Sequence, residues 1–177
     1  SLGDLMAFLE EKGVADNTVV VFMSDNGGDC VNPQKGGIKH THNLPLREGK
    51  GSVYEGGIRV PMIVSWGDKV AHGSRCDVPV MMEDFFPTAL DLAGIRKYET
   101  AQKLDGHSIV GLLTGKKTEI NEDREVLSHF PHQWRPEVND DIDYMTALRK
   151  GDWKLIYRHR TQALELYNLA EDLGERN

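Results

Sequence analysis

Hydrophobic positions open the chain at Leu2, Leu5, Met6 and Leu9, the i, i+3, i+4, i+7 spacing of an amphipathic helix, and Gly13 supplies a C-terminal stop. A core-facing helix is the expectation. The period then changes. Thr18 to Met23 (TVVVFM) is apolar without alternation and rich in β-branched and aromatic side chains, which predicts a strand covered on both faces in a mostly parallel sheet. VPMIVSW, from Val60 to Trp66, predicts a second short buried strand. PTALDLAGI, from Pro87 to Ile95, predicts a helix with proline in its first turn and Gly94 at its end. Between the two strands, residues 27–57 hold eight glycines and two prolines, too many for regular structure, and read as a long functional loop. Helix, strand, loop, strand, helix is an α/β order.

After about Thr114 the pattern shortens. KKTEINEDRE is charged and exposed, and EVLSHF, YMTALRK, DWKLIYR and LELYNL read as short strands separated by polar turns. Lys150-Gly151-Asp152 makes a hairpin turn. The expected organisation is an α/β region over residues 1–124 and a small antiparallel β subdomain over 125–177, with no internal repeat or low-complexity tract.

Composition sets limits on this picture. A chain of 177 residues with 39% hydrophobic side chains can bury a core and is not a disordered tail. With 28 acidic against 21 basic residues the net charge is −7, and without a basic cluster nucleic acid is not the expected partner. No apolar stretch approaches the roughly 20 residues of a membrane span, and SLGDLMAF lacks the charged and apolar regions of a signal peptide. Cys30 and Cys76 allow one disulfide or two small unpaired side chains, and no C-x-x-C spacing exists.

The apolar run ends on Ser24-Asp25-Asn26-Gly27-Gly28. Ligands of open α/β sheets gather beyond the carboxyl ends of the strands. There, an Asp carboxylate and an Asn carbonyl offer hard oxygen donors suited to calcium or magnesium, though a hard cation needs about six. The alternative is a plain turn, since Asp-Asn-Gly is common turn composition. Further on, Lys50 stands between Gly49 and Gly51, so its backbone can approach a ligand and its ammonium can serve as a point charge for an anion.

MSDNGG followed by PLREGKGSVYEGGIRVP resembles the type I sulfatases, whose members end a strand in S/T-D-N-G and continue with P-L-R-x-G-K-G-x-x-x-E-G-G-x-R-x-P. PTALDLAGI, LDGHSIVGLL, LRKGDWKLIY and LELYNLAEDLGE extend the likeness, which is to bacterial glycan sulfatases, over nearly the whole chain. The resemblance implies the C-terminal portion of an alkaline-phosphatase-like sulfatase fold, followed by a small antiparallel sheet. It implies that Asp25 and Asn26 ligate a divalent cation, usually calcium with magnesium the alternative, and that Asn26 also approaches the leaving oxygen or the nucleophile. It implies that Lys50 contacts the sulfate and its bridging oxygen. Glu55 and Arg59 read as internal supports of the loop. His129 and His132, in SHFPHQW, lie beside aromatic rings suited to a sugar face and are the candidate substrate-binding residues, with ordinary packing histidines as the alternative. His40 and His42 precede Lys50 in the loop, but no motif position holds them.

Sulfatases of this type use a formylglycine made in a C/S-x-P-x-R motif. Cys30 is followed by VNPQ and Cys76 by DVPV, so neither supplies it. The family's paired Asp ligands, its Lys-x-His and a further active-site His have no match here either. The chain therefore reads as the C-terminal part of a longer sulfatase, with formylglycine expected in the missing N-terminal part and a sulfated glycan or aryl sulfate as substrate. Such enzymes are generally periplasmic or secreted. Alone, the chain is expected to be inactive, to bind calcium weakly and to self-associate through an exposed sheet edge. The rival readings are a phosphonate or phosphodiester hydrolase of the same superfamily and a noncatalytic glycan-binding module.

Overall fold

A computed structural model of the chain describes residues 1–29, 43–116, 118–133 and 143–177. Cys30, His40 and His42 lie outside them, and the pairing of Cys30 with the exposed Cys76 is outside them too. The helices are α1 (Leu2–Glu11), α2 (Glu55–Ile58), α3 (Phe85–Leu92) and α4 (Val110–Thr114). The strands are β1 (Val20–Met23), β2 (Met62–Ser65), β3 (Glu125–Gln133), β4 (Asp143–Lys150), β5 (Trp153–Arg158) and β6 (Ala163–Asn168). These elements fall into two compact units, Ser1–Phe22 with Met62–Glu122 and Met23–Pro61 with Asp123–Asn177.

In the first unit, α1 begins at Ser1, whose hydroxyl accepts from the Asp4 N–H at 3.3 Å, and ends just before Gly13, where φ reaches +66°. The helix forms as its spacing predicts, but its face is not core: Leu2, Leu5 and Phe8 are 43%, 46% and 52% exposed. β1 and β2 pair side by side in a two-stranded sheet. Within this chain Val21, Phe22 and Ile63 are exposed, so its own residues do not cover both faces of these strands. Lateral pairing satisfies backbone groups but covers no face, and a face needs a second layer.

The ordered centre of this unit is Asp84, fully buried at the start of α3. Its Oδ2 accepts from Met81 N at 2.7 Å and its Oδ1 from His107 N at 2.9 Å. Thr88, one turn on, donates to the Asp84 carbonyl and accepts from Ile109 N at 3.0 Å. Gly106 lets the two segments meet, since a Cβ there would overlap the Glu83 carbonyl.

The second unit carries a four-stranded antiparallel sheet in the order β3-β4-β5-β6. Gly151, at φ +57°, turns β4 into β5 as the sequence indicates. Alternation gives the sheet two faces. Met145, Ala147, Ile156 and Tyr167 form one face and pack with Val53, Tyr54 and Leu169 in the buried core. The other presents Leu127, Trp153, Leu164 and Leu166, all more than half exposed, together with Leu148 and Leu155.

Replacing Asp84 by Asn keeps one acceptor and sets an amide donor against a buried N–H. Asp84→Asn should cost about 1–3 kcal/mol in urea unfolding, the penalty of one buried donor left unsatisfied. A midpoint equal to the parent's would show that the two N–H groups do not depend on this carboxylate.

Candidate active site

β1 runs directly into the Ser24–Gly28 loop, where Ser24 Oγ donates to the Asn26 carbonyl at 2.7 Å and tightens the turn. Two backbone hydrogen bonds join this loop to the one carrying Lys50: Gly27 N to Gly57 O at 2.9 Å and Lys50 N to Gly28 O at 3.1 Å. Glycine is required at the seam, because a Cβ on Gly27 would overlap the Gly56 carbonyl. Asn43 adds a side-chain clip, accepting from Gly28 N at 3.2 Å while its amide donates to Gly28 O at 3.0 Å and to Glu48 O at 2.9 Å. Asp25, Asn26 and Lys50, the three residues singled out by their motifs, thus sit on adjoining loops. Their side chains make no hydrogen bond or ion pair with any described residue.

The other polar groups of this loop are engaged. Arg47 lies over the Tyr54 ring at 3.9 Å and donates to Tyr167 Oη at 3.0 Å and to the Glu175 carbonyl at 2.9 Å. Tyr54 and Tyr167 both donate to Glu165 Oε2, at 2.8 and 2.7 Å, and Arg158 reaches Glu165 Oε1 at 3.3 Å. Burial alone would raise the Glu165 carboxyl, but the donors from Tyr167, Tyr54 and Arg158 outweigh it and hold the group below its usual range. Burial and the bond to Glu165 push Tyr54 well above the usual phenol value, and they push Tyr167 up to about 12.

Beneath this cluster Lys154 is 1% exposed, with Nζ 2.9 Å from Glu55 Oε1 and 2.7 Å from Glu175 Oε1. The second contact is ionic without hydrogen-bond alignment. Glu175 Oε2 accepts from the backbone N–H of Glu55 at 2.7 Å, and Glu55 Oε2 meets Arg59 at 3.3 Å. Glu55 and Arg59 are therefore supports of the loop, as their motif positions indicate. Burial raises the Glu175 carboxyl despite the neighbouring ammonium. Lys154, Glu165 and Glu175 were not identifiable as site supports from sequence, since each lies more than 90 residues from the loop it holds.

His129 and His132 both lie on β3. His129 pairs with Thr146 across the strands, and its Nδ1 lies 2.8 Å from Thr146 Oγ1, which in turn lies 2.7 Å from His159 Nε2. Thr146 pairs onward with Tyr157, so these groups share the open sheet face, opposite the face on which the Lys50 loop packs. His132 instead lies against the Phe130 ring, at 4.1 Å between centroids, and Phe130 packs on the core. His159 was missed because no strand pattern includes it.

Among the described residues no group of three or more His, Cys, Asp or Glu side chains could enclose a metal ion. The oxygens of Asp25 and Asn26 fit a hard cation chemically and supply two of the roughly six donors it needs.

The fold formed by these elements is the C-terminal part of an alkaline-phosphatase-like sulfatase, followed by its small antiparallel sheet. The crystal structure of Ps i-CgsB in complex with k-i-k-neocarrahexaose matches 99% of this chain at 34% identity and a TM-score of 0.75, over 35% of its own length. PsFucS1 sulfatase from Pseudoalteromonas sp. matches 99% at 26% identity and a TM-score of 0.74, again over 35% of that chain. The Sulfatase profile covers residues 1–95, and the C-terminal profile of N-sulphoglucosamine sulphohydrolase covers residues 49–177. The chain belongs to the sulfatase family. It is 36% identical over 168 residues to a sulfatase of Formosa agariphila, covering 92% of this chain and 29% of that one. It is 33% identical over 149 residues to human steryl-sulfatase, covering 80% and 25%. The chain thus spans about a quarter to a third of the length of these relatives.

Because Tyr54 and Tyr167 are held neutral in the fold, the stability they contribute is complete below the ordinary value of 10.0 and is lost as pH rises through their raised values. In an ultraviolet titration of tyrosinate, Tyr167→Phe should remove signal at about pH 12, and Tyr54→Phe should remove signal that ionises well above the usual phenol value. Unchanged late signals in both variants would contradict the assignment.

Proposed function

We propose that this chain forms part of an enzyme that hydrolyses sulfate esters, with a sulfated glycan the favoured substrate and an aryl sulfate the smaller one. The observation that carries this reading is the contrast between residues of the sulfatase motifs: Arg47, Glu55 and Arg59 are spent on structure, while the side chains of Lys50, Asp25 and Asn26 have no partner among the described residues and stand on two loops locked together through Gly27 and Gly28. Lys50 would contact the sulfate and bridging oxygen and stabilise charge as the S–O bond breaks. Asp25 and Asn26 would supply two oxygens to a calcium ion, with magnesium the alternative, and the ion when bound adds positive charge at the sulfate. The formylglycine nucleophile would come from a segment outside these residues. His132 would contact sugar on the substrate side, whereas His129, on the far sheet face, fits that role less well.

The k-i-k-neocarrahexaose in complex with Ps i-CgsB supports a glycan as the substrate class, and the sulfatase family membership supports a sulfated one. Such polymers do not cross membranes unaided, so we place the enzyme in the periplasm or outside the cell. No helix among the described residues is long and apolar enough to span a bilayer.

In the full-length protein carrying the aldehyde, Lys50→Ala should lower kcat on a chromogenic aryl sulfate by about 10²-fold or more, the scale of losing a preorganised charge-stabilising group. Activity equal to the parent's would remove Lys50 from the reaction, and turnover of phosphonate esters in place of sulfates would move the enzyme to the rival superfamily branch. The 177-residue chain alone should show no sulfate ester hydrolysis, weak calcium binding by calorimetry and concentration-dependent self-association on gel filtration. Robust hydrolysis by that chain would defeat the need for an outside nucleophile.

A further inference from the structure

The geometry points to Lys154 as a positioning residue for catalysis, acting through Glu55 and Glu175 to set where Lys50 stands relative to Asn26. The inference rests on the sulfatase reading of Lys50 given above and extends it to a residue outside the motif.

Three contacts close a ring. Lys154 Nζ meets Glu55 Oε1 at 2.9 Å and Glu175 Oε1 at 2.7 Å, and Glu175 Oε2 accepts from Glu55 N at 2.7 Å. The side chain and the backbone of Glu55 are thereby fixed at once. All three residues are at most 2% exposed, so water cannot take over any of these contacts. Glu55 opens α2, and the backbone that follows it bonds in two directions: Gly56 N donates to Arg47 O at 2.8 Å, and Gly57 O accepts from Gly27 N at 2.9 Å, beside Asn26. On the other side, Ser52 donates through both its N–H and its hydroxyl to Gly49 O, at 3.1 and 2.9 Å, next to Lys50. Glu55 is therefore the point from which both loops take their separation. The ammonium that holds it comes from β5, 99 positions away.

Glycine makes the loop dependent on such an anchor. Gly49, Gly51, Gly56 and Gly57 leave the backbone free to sample conformations that side chains would forbid, and Gly51 sits at φ +89°. Removing the ammonium leaves two buried carboxylates facing each other around a flexible backbone. Relaxation would move Glu55 and with it Lys50, and displacement of a catalytic group by about 1 Å can cost about 10²-fold in rate.

The test compares five variants of the full-length, aldehyde-bearing enzyme on the aryl sulfate: Lys154→Met, Glu175→Gln, Lys50→Ala and the double variants Lys50→Ala/Lys154→Met and Lys50→Ala/Glu175→Gln. Urea curves establish that each is folded at the assay temperature. Lys154→Met is expected to lower kcat by about 10²-fold with KM changed by less than about threefold, because the misplaced group acts on the transition state. The Lys50→Ala/Lys154→Met double variant is expected to be no slower than Lys50→Ala, since Lys154 acts through Lys50 and the two effects then do not multiply. A purely structural lysine would multiply with Lys50→Ala. Should Lys154→Met fail to fold, Glu175→Gln keeps an acceptor for the Glu55 N–H but turns an amide toward the ammonium. It is expected to lower kcat by about 3- to 10-fold with the same lack of additivity against Lys50→Ala. Parent-like kcat in folded Lys154→Met or in Glu175→Gln, or factors that multiply, overturns the positioning role. Parent-like kcat in Lys50→Ala overturns the sulfatase reading of that lysine as well.

Discussion

The second unit depends on one ammonium buried between two carboxylates. Removing Lys154, Glu55 and Glu175 from water costs several kcal/mol per ion, and their mutual attraction offsets this only when the geometry is tight and the remaining polar atoms are bonded. Here the condition is met unequally. Glu55 shares its second oxygen with Arg59 and Glu175 binds the Glu55 N–H, yet Glu175 Oε1 has only the unaligned ammonium. Such a cluster adds little net stability. Its value lies in exclusivity, because no shifted arrangement of the loop on the sheet would pair these charges, and every shifted arrangement would strand at least one of them in a dry interior.

From that point the candidate site is assembled with backbone rather than side chains. The Asn26 and Lys50 loops meet through N–H to carbonyl bonds across glycines, and a Cβ at Gly27 would push them apart. A seam of this kind leaves no charge of its own near the substrate. The polar side chains around it are instead divided: those facing the sheet are paired there, and Lys50, Asp25 and Asn26 have no side-chain partner among the described residues. On the proposed reading, a sulfate at this site would meet a field set by Lys50 and a cation held by Asp25 and Asn26, with Arg47 and Arg59 engaged elsewhere.

The elements themselves were legible in the sequence, and their environments were not. Helical spacing located α1, apolar runs located β1 and β2, and alternation with the Gly151 turn located the four-stranded sheet. Period, however, says which residues share a face and not what covers it: α1, Val21 and Phe22 read as core and are exposed in this chain, which spans about a quarter to a third of its relatives' length. β5 is the sharpest case. In Trp153-Lys154-Leu155-Ile156-Tyr157-Arg158 the apolar set is Trp, Leu and Tyr, and hydrophobicity alone would turn that face inward. The buried face is Lys154, Ile156 and Arg158, because the loop laid on it brings Glu55, and Glu165 waits on β6. The same inversion carries His129 to the open face. At the candidate site, the motif singles out Asp25, Asn26, Lys50, Glu55 and Arg59 because its residues are close in sequence. Lys154 and Glu175 escaped because their partners are far along the chain and nothing near them announces burial.

Glu165 and Glu175 show why burial and charge have to be weighed together. Both are carboxylates in the same unit beside cationic side chains, and their acidities move in opposite directions. Glu165 keeps partial contact with solvent and collects donors from two tyrosines and Arg158, so the charged form wins. Glu175 has no exposure at all and shares a single ammonium with Glu55, so desolvation wins. By linkage, Glu165 strengthens the fold above its unfolded pKa and loses that contribution as pH falls. Glu175 favours the fold most below its unfolded pKa and gives that up as pH rises through its raised value. Phenol donors satisfy the first carboxylate without adding charge, so Arg47 keeps only a 3.8 Å ionic contact with Glu165 while it stacks on Tyr54 and donates to the Glu175 carbonyl. The neutral donors thus let one arginine brace both ends of the loop that carries Lys50.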